Sequence, residues 1–419
     1  MKAQKSLFVA LAALLPLCAL ATADVTVTAV ESVSGIVTVK YTLSEDAVVT
    51  PRFFVGGEWV APQFLTLLSG DINRKVAATT GTETRSFVWS ARKEAWPDAA
   101  RRDYSDAKVE LKAWALGAPP PYMVVDLGTY GQPLTDVPHY YATKADVPGG
   151  ITNRIYMTEK LLMFKVPARH VTWWMGCVYD KAKDDQCKEN ERYHQVVFSD
   201  DYYIGVYEVT QAQGLRLFNT RCRDSKFYAN THTPEENDRR PICGYGYDWY
   251  RGTGAAPDAA PLADSRLGKL KTRFGIPFDV PTEAQWEYAC RAGEQNSYAY
   301  GGYRANETNT WFSSNSDYGD GDGRLTRPVD RWYPNKWDLY DMPGNVWEIC
   351  RDLIAEYEFD DGDPVLDPLC ATGSGNPIVR GGCYMNPVTN TRSPFRHKLA
   401  RDTTEWSIGI RLSCPAVAH

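Results

Sequence analysis

The chain has 419 residues and a formal net charge of −6, from 46 Lys and Arg against 52 Asp and Glu. Hydrophobic residues make up 43% and charged residues 23%, with 13 Trp and 25 Tyr. This composition excludes a mostly disordered protein, and the length predicts two to three domains. The negative charge, with no long basic run, argues against non-specific nucleic-acid binding.

The N-terminus has the features of an export signal. Lys2 and Lys5 provide a positive start, and residues 7–20 are almost wholly apolar. Ala21-Thr22-Ala23 then offers a cleavage site made of small residues. Residues 1–23 are therefore predicted to be a cleaved signal peptide, which makes the protein secreted or periplasmic.

A lipoprotein anchor on Cys18 is the alternative. We favour the cleaved signal, because Leu17 is bulky where a lipobox has a small residue. The apolar run is also shorter than a membrane span, which needs about 20 residues. No later segment has 18 consecutive apolar residues, so the mature chain is predicted not to span a membrane.

Residues 24–116 have the pattern of short strands. Apolar and polar residues alternate in Ile36–Leu43 and Lys108–Ala115, with no helical periodicity between them. We predict a small antiparallel β-sandwich. The Pro-rich stretch 117–121 marks the boundary, and residues 117–161 are predicted to be a linker and connecting segment.

Two helix starts stand out in the region that follows. Residues 210–213 and 282–285 both read T-x-x-Q, the spacing of a capping box, in which Thr and Gln side chains satisfy backbone N–H groups. The second helix is predicted to end at Gly293, because glycine is the usual C-terminal stop.

Five segments in a fixed order then suggest a family. They are YYIGVYEVTQAQ (202–213), FDVPTEAQWEYACRAG (278–293), KWDLYDMPGNVWEICRD (336–352), IVRGGCYMNP (378–387) and GIRL (409–412). Together with LMFKVPARHVTWWMGC (162–177), they resemble the sulfatase-modifying-factor family, the family of the formylglycine-generating enzymes, over residues 162–414. The resemblance implies an irregular α+β domain with a C-type-lectin-like fold, preceded here by the β-sandwich.

The resemblance also implies a structural calcium site. Asp341 and Glu348 flank a Pro-Gly turn, and Gly344 and Val346 can add backbone carbonyls. Calcium takes six to eight hard oxygen ligands of these two kinds, and the spacing matches the family's calcium pattern. From spacing alone, a solvated turn with two unrelated acids is the simpler interpretation.

A second calcium site is implied around Asn309 and Thr310, with an acid further along the chain. Asp320 and Asp322 are the candidates, in a loop whose length differs from the family's. A hydrated, flexible Gly-Asp loop is the competing interpretation.

Nine cysteines remain after the signal peptide, so at least one has no partner within the chain. The resemblance implies a disulfide between Cys290 and Cys414. Cys177–Cys187 and Cys222–Cys243 are local pairs chosen by proximity only. The three thiols that remain are Cys350, Cys370 and Cys383. They allow one further bridge, and its connectivity cannot be read from spacing.

Formylglycine-generating enzymes oxidise a substrate cysteine with oxygen and hold copper(I) between two cysteine thiolates. The matching positions here are Thr391 and Arg396. A hydroxyl and a guanidinium cannot replace thiolates, so copper is not expected. Cys383 could be a relocated redox centre. We favour a bridged or inert thiol, because one sulfur lacks a partner at copper spacing.

A branch of the family that uses non-haem iron fits poorly, because the six His are scattered and show no H-x-x-x-H pair. We therefore expect a calcium-stabilised module that binds a peptide or a glycan. Loop aromatics are candidate contacts: Trp311, Tyr318, Trp332, Tyr333 and Tyr384. A sulfatase-maturing or related oxidase with an atypical centre is the alternative, and a structural matrix component is a third. Whether the chain is an enzyme stays open.

Overall fold

The computed structural model describes residues 23–134, 136–177, 188–222, 233–294, 310–317, 323–355, 363–372 and 375–419. The predicted signal peptide lies outside these ranges except for Ala23, which is buried in the core of the front module. Across the described ranges, none of the helices is both long and apolar enough to cross a bilayer.

The front module is a β-sandwich, as the alternating pattern predicted. Its strands are β1 (Val25–Val33), β2 (Ile36–Leu43), β3 (Ala47–Val55), β4 (Glu58–Trp59), β5 (Leu68–Gly70), β6 (Lys75–Val76), β7 (Arg85–Trp89) and β8 (Lys108–Ala115). One sheet has the order β1-β2-β7-β5. In the other, β3 pairs with β8 along one edge and with β4 and β6 at the two ends of its other edge.

Alternate side chains of these strands form the sandwich core. Val39 and Tyr41 of β2 pack with Phe53 of β3 and with Phe87 and Trp89 of β7, and all five are buried. The rings of Phe53 and Trp89 lie 4.6 Å apart. Burial of one face of each sheet is what a period of two provides.

The second domain begins earlier than the sequence indicated. Its elements are β9 (Tyr122–Asp126), β10 (His139–Tyr141), β11 (Lys160–Val166), β12 (Thr172–Met175), β13 (His194–Val197), β14 (Tyr202–Gly205), α1 (Gln211–Phe218), α2 (Pro234–Asp238), α3 (Tyr247–Arg251), α4 (Arg266–Phe274), α5 (Glu283–Arg291), β15 (Trp347–Leu353), β16 (Val365–Leu366), β17 (Pro377–Arg380), β18 (His397–Lys398), β19 (Ile408–Gly409) and β20 (Ser413–Pro415). The short helices and many strands confirm the α+β class.

The predicted connecting segment 117–161 contains two strands of the central sheet. β9 and β10 belong to the central sheet, whose order is β10-β9-β11-β14-β20. Tyr122 to Val125 are buried on both faces of that sheet, so they lack the alternation by which a strand is recognised. Two smaller sheets have the orders β12-β13-β16 and β18-β17-β15-β19.

Both predicted capping boxes are present. Thr210 and Gln213 exchange hydrogen bonds at the start of α1, and Thr282 and Gln285 do so at the start of α5. The carboxylate of Asp352 also accepts a hydrogen bond from the backbone N–H of Glu283, at 2.6 Å. The α5 helix ends at Arg291, two residues before the predicted stop, with Ala292 in the left-handed conformation.

The central sheet separates two hydrophobic clusters, and this separation contradicts the expected Cys290–Cys414 disulfide. Cys414 pairs with Tyr203 in the sheet and packs on the same side. Cys290 on α5 belongs to the cluster on the other side, with Ile204. Both cysteines are free and buried.

The remaining cysteines divide into bridged and free groups. Cys222 and Cys243 form the predicted local disulfide. Cys177 is disulfide-bonded, while its predicted partner Cys187 lies outside the described residues. The three thiols left over in the sequence are all free.

Candidate functional site

The two positions that match the family's copper ligands hold side chains that are already bonded. Thr391 is buried, and its hydroxyl donates to the carbonyl of Val388 at 2.8 Å. Arg396 donates to both carboxylate oxygens of Glu283, at 2.7 and 2.9 Å. It also donates to the carbonyls of Asn190 and Ala355. Arg396 therefore ties the start of α5 to two distant loops.

This ion pair belongs to a larger buried network along α5. Arg380 lies 3.4 Å from Glu283 and also pairs with Glu287, which in turn pairs with Arg291 on the next turn. Burial opposes ionisation of Glu287, but Arg291 and Arg380 outweigh it and hold the pKa of this carboxyl below its usual value. Every charged side chain in this network has an oppositely charged partner within it, as buried charges require.

Cys383, the candidate redox centre, is a buried thiol. Its Sγ donates to Oδ1 of Asn386 at 2.8 Å. Burial raises the pKa of the Cys383 thiol to about 11, although neighbouring hydrogen bonds lower it. The thiolate is the reactive form, so the thiol is mostly inert at neutral pH. It is not bridged to Cys350 or Cys370.

The turn predicted to bind calcium is held close to a neighbouring loop. Gly344 has a φ of 95°, and a Cβ at this position would collide with the carbonyl of Trp311. The N–H of Asn345 donates to that same carbonyl, at 2.9 Å. The turn therefore needs glycine, and it packs directly against the segment proposed for the second calcium site.

Glu348, one of the two predicted acidic ligands, is already paired. Its carboxylate accepts from Arg411 at 2.7–3.1 Å and from Nε1 of Trp286 at 2.7 Å. Arg411 also donates to the carbonyls of Gly205, Val206 and Tyr340. The negative charge of Glu348 is therefore balanced by a buried guanidinium.

Asp341, the other predicted acid, is different. Its side chain is buried, and its Oδ2 atom has no hydrogen-bond partner. Burial raises the pKa of Asp341 well above its usual value, although Arg411 lowers it. An unpartnered buried carboxylate oxygen is costly, and it suits a hard cation.

Glu208, which the sequence analysis did not single out, lies close enough to Asp341 for their charges to interact. It is fully buried, and it accepts from Nδ2 of Asn345 at 2.7 Å and from the N–H of Val346 at 3.2 Å. Burial raises its pKa well above the usual value, and the charge of Asp341 raises it further. The sequence contains one signal for this residue, because Glu208 is a charged side chain within the otherwise apolar or uncharged run Ile204–Val209.

The fit to calcium is therefore partial. Asp341 and Glu208 bring two buried carboxylates together, as a divalent cation requires, whereas Glu348 is neutralised by Arg411. Within the described parts of the chain, no group of three or more His, Cys, Asp or Glu side chains is arranged to hold a metal. For the second site, Thr310 is buried and its carbonyl accepts from Asn315 at 2.9 Å. Asn309, Asp320 and Asp322 lie outside the described residues.

Of the predicted ligand-contacting aromatics that the structure describes, most are buried or partly buried. Trp311 is buried under the guanidinium of Arg327, 3.6 Å from its ring centroid, and Tyr384 is also buried. Trp332 is partly buried against the same cluster, and Tyr333 is largely exposed, at 73%. Tyr318 lies outside the described residues. Trp311 and Tyr384 therefore belong to the hydrophobic core and do not line a binding surface.

The comparisons agree with the resemblance. The model of the sulfatase-modifying factor enzyme 1-like domain matches residues 168–414. Formylglycine-generating enzymes from Bos taurus and Mus musculus are 31% and 33% identical over 307 residues, which is 65% of this chain and 79% of each relative. Among solved structures, Treponema denticola variable protein 1 is 21% identical with a TM-score of 0.49, covering 61% of this chain and 95% of that one. The chain belongs to the sulfatase-modifying factor family.

Proposed function

We propose that this protein is an exported, calcium-stabilised binding protein of the family that does not oxidise cysteine through a copper centre. The contacts of Arg396 carry the proposal. Copper(I) needs two thiolates in a linear arrangement, and Arg396 instead brings a permanent positive charge that is bonded to Glu283. With Thr391 bonded to Val388, the donor set does not fit copper.

A relocated centre at Cys383 has little chemical support. The thiol is buried and its pKa is raised to about 11, so thiolate is scarce at neutral pH. No second described cysteine is bonded to it. We infer that Cys383 packs in the core and does not bind metal.

Calcium is proposed as a structural ion. Asp341, with its unpartnered Oδ2 atom, would hold it together with Glu208. Carbonyls of the Gly344 turn are further candidate ligands. The bound ion would add positive charge beside these two buried carboxylates, since the nearby Arg411 is already paired with Glu348. The ion is not proposed to take part in a reaction.

The direct test is an oxidase assay. Purified protein is incubated with Cu(I), oxygen and a cysteine-containing sulfatase-type peptide, and aldehyde is sought by mass spectrometry. We expect no aldehyde, and no stoichiometric copper–sulfur signal in X-ray absorption. The Cys383→Ser variant is the control, because it replaces only the sulfur atom with oxygen and leaves the charge of the neutral side chain unchanged.

The alternative is an oxidase that matures sulfatases with an atypical centre. The 31–33% identity to formylglycine-generating enzymes favours it. Aldehyde formation by the wild-type protein that disappears in Cys383→Ser would establish this alternative and reject the proposal. The export component is tested separately, by sequencing the N-terminus of the secreted form, for which we expect Asp24.

A further inference from the structure

A cleft of about 590 Å³ lies where the sandwich meets the second domain. We call it the interdomain cleft; its residues include Arg52, Trp59, Leu65, Leu68, Thr143 and Asp146. Ligand sites in proteins commonly have this volume and commonly form between domains. Among the candidate copper and calcium positions that the structure describes, none lines this cleft.

The interface beneath the cleft is fixed by backbone contacts. The N–H of Tyr140 on β10 donates to the carbonyl of Asn73, at 2.6 Å. Val48 on β3 is buried in the larger core cluster of the second domain. The two walls of the cleft are therefore held in register, which favours a pre-formed binding site.

Trp59 supplies an aromatic surface inside the cleft. Its side chain remains 43% exposed although it lines the cavity. The guanidinium of Arg52 lies 4.3 Å from the ring centroid, and Phe54 packs edge-on at 5.4 Å. These contacts fix the orientation of the indole, so that little side-chain entropy remains to be lost when a ligand packs on it.

The charged groups of the cleft are balanced among themselves. Arg52 lies 3.8 Å from Glu110, and both side chains are more than 60% exposed. Asp146 accepts from the N–H and the hydroxyl of Thr143. Lys112 lies over the ring of Trp114. With two acids facing two bases, the cleft has no net charge to select an ionic ligand, but it offers exposed donors and acceptors.

The backbone of the cleft argues against an added peptide strand. On the edge of β3 away from β8, the carbonyls of Val49 and Phe53 already accept from the N–H groups of Asn73 and Val60, which leaves only a short middle stretch between β4 and β6. Pro51 stands in this middle stretch and has no N–H to donate. A peptide strand would therefore lose a ladder hydrogen bond there, whereas a ligand that binds through hydroxyls would not.

We propose that the interdomain cleft binds a short neutral saccharide, with one sugar ring packed on Trp59 and its hydroxyls bonded to Arg52, Glu110 and Asp146. A sugar ring has an apolar C–H face and polar edges, which matches a fixed indole beside exposed charged groups. This assignment rests on the proposed binding function and names its site and ligand class.

The test is calorimetry of the full-length protein with four trisaccharides: maltotriose, cellotriose, the N-acetylglucosamine trimer and, as an anionic arm, the galacturonate trimer. We expect at least one neutral trimer to bind. Trp59→Ala should weaken that binding by about tenfold or more. Trp406→Ala is the matched control, because Trp406 is similarly exposed, at 41%, and is not among the cleft residues.

Four outcomes would overturn the assignment: no neutral trimer binds, only the galacturonate trimer binds, Trp59→Ala binds as tightly as wild type, or Trp406→Ala weakens binding equally. Circular dichroism of each variant excludes unfolding, and Arg52→Met provides a second variant of the same site. The oxidase assay is independent. Aldehyde formation together with Trp59-dependent saccharide binding would reject the proposed loss of oxidation and leave this site standing.

Discussion

Replacing Arg396 by methionine tests whether the family's copper position has become a structural anchor. The substitution keeps the length of the apolar stem but removes the two hydrogen bonds to Glu283, at 2.7 and 2.9 Å. Glu283 is then left buried with Arg380 at 3.4 Å as its remaining ion-pair partner. Removing one partner of a buried ion pair typically costs about 3–5 kcal/mol.

The assay is equilibrium unfolding in urea, followed by tryptophan fluorescence. We expect Arg396→Met to lose about 3–5 kcal/mol. Arg331→Ala is the control, because its pair with Glu236 has a similar length of 2.8 Å but lies at the surface, where a pair contributes at most about 1 kcal/mol.

A second substitution separates lost packing from the orphaned charge. Glu283→Gln in the Arg396→Met background removes a buried carboxylate that has lost both hydrogen bonds from Arg396 and keeps only Arg380, at 3.4 Å, so the double variant should be more stable than Arg396→Met alone. The reasoning fails if Arg396→Met costs no more than the surface control, or if adding Glu283→Gln destabilises the protein further.

Two further predictions concern the acids and the thiols. EGTA should lower the melting temperature of wild type but not that of Asp341→Asn, because only wild type would lose bound calcium. In calcium-free protein, Asp341→Asn should be more stable than wild type, because the substitution removes a buried charge. In native protein at pH 8, Ellman's reagent should label the partly exposed Cys370 first. Labelling of Cys383 should be slow and should accelerate about tenfold per pH unit up to its pKa of about 11, because the thiolate reacts.

A specific result would contradict each of these two predictions. An equal EGTA effect on wild type and Asp341→Asn removes Asp341 from any calcium site. Rapid labelling of Cys383 at pH 8, before Cys370, would show that its thiol is accessible and activated, and it would support a redox role for this residue. In the labelling experiment, loss of the slow label in Cys383→Ser identifies Cys383 as its position.

Features encoded within a few residues were predicted well. The T-x-x-Q boxes specify both helix starts, because the donor and acceptor are three residues apart. The period of two in Ile36–Leu43 is also a short-range pattern, and it indicates a strand with one buried face. The strand Tyr122–Asp126 was missed, since burial on both faces erases the alternation.

Features that depend on distant partners were not predictable in this way. Spacing identifies Asp341 and Glu348 as a possible ligand pair, but it does not show that Arg411, 63 residues away, neutralises Glu348. It likewise cannot reveal Glu208, which is brought to Asp341 by folding. The Cys290–Cys414 pairing failed because the two residues lie on opposite sides of a sheet, a relation that only the tertiary structure specifies.

The buried arginines also bear on how the chain reaches its native state. Arg392 pairs with Glu191 across 201 positions, and Arg411 bonds the Gly205 carbonyl across 206. Such high contact order slows folding, because distant segments must meet before either gains from the encounter. Closing these two loops carries an entropic cost, and the buried arginine contacts can offset it only after the distant segments have met.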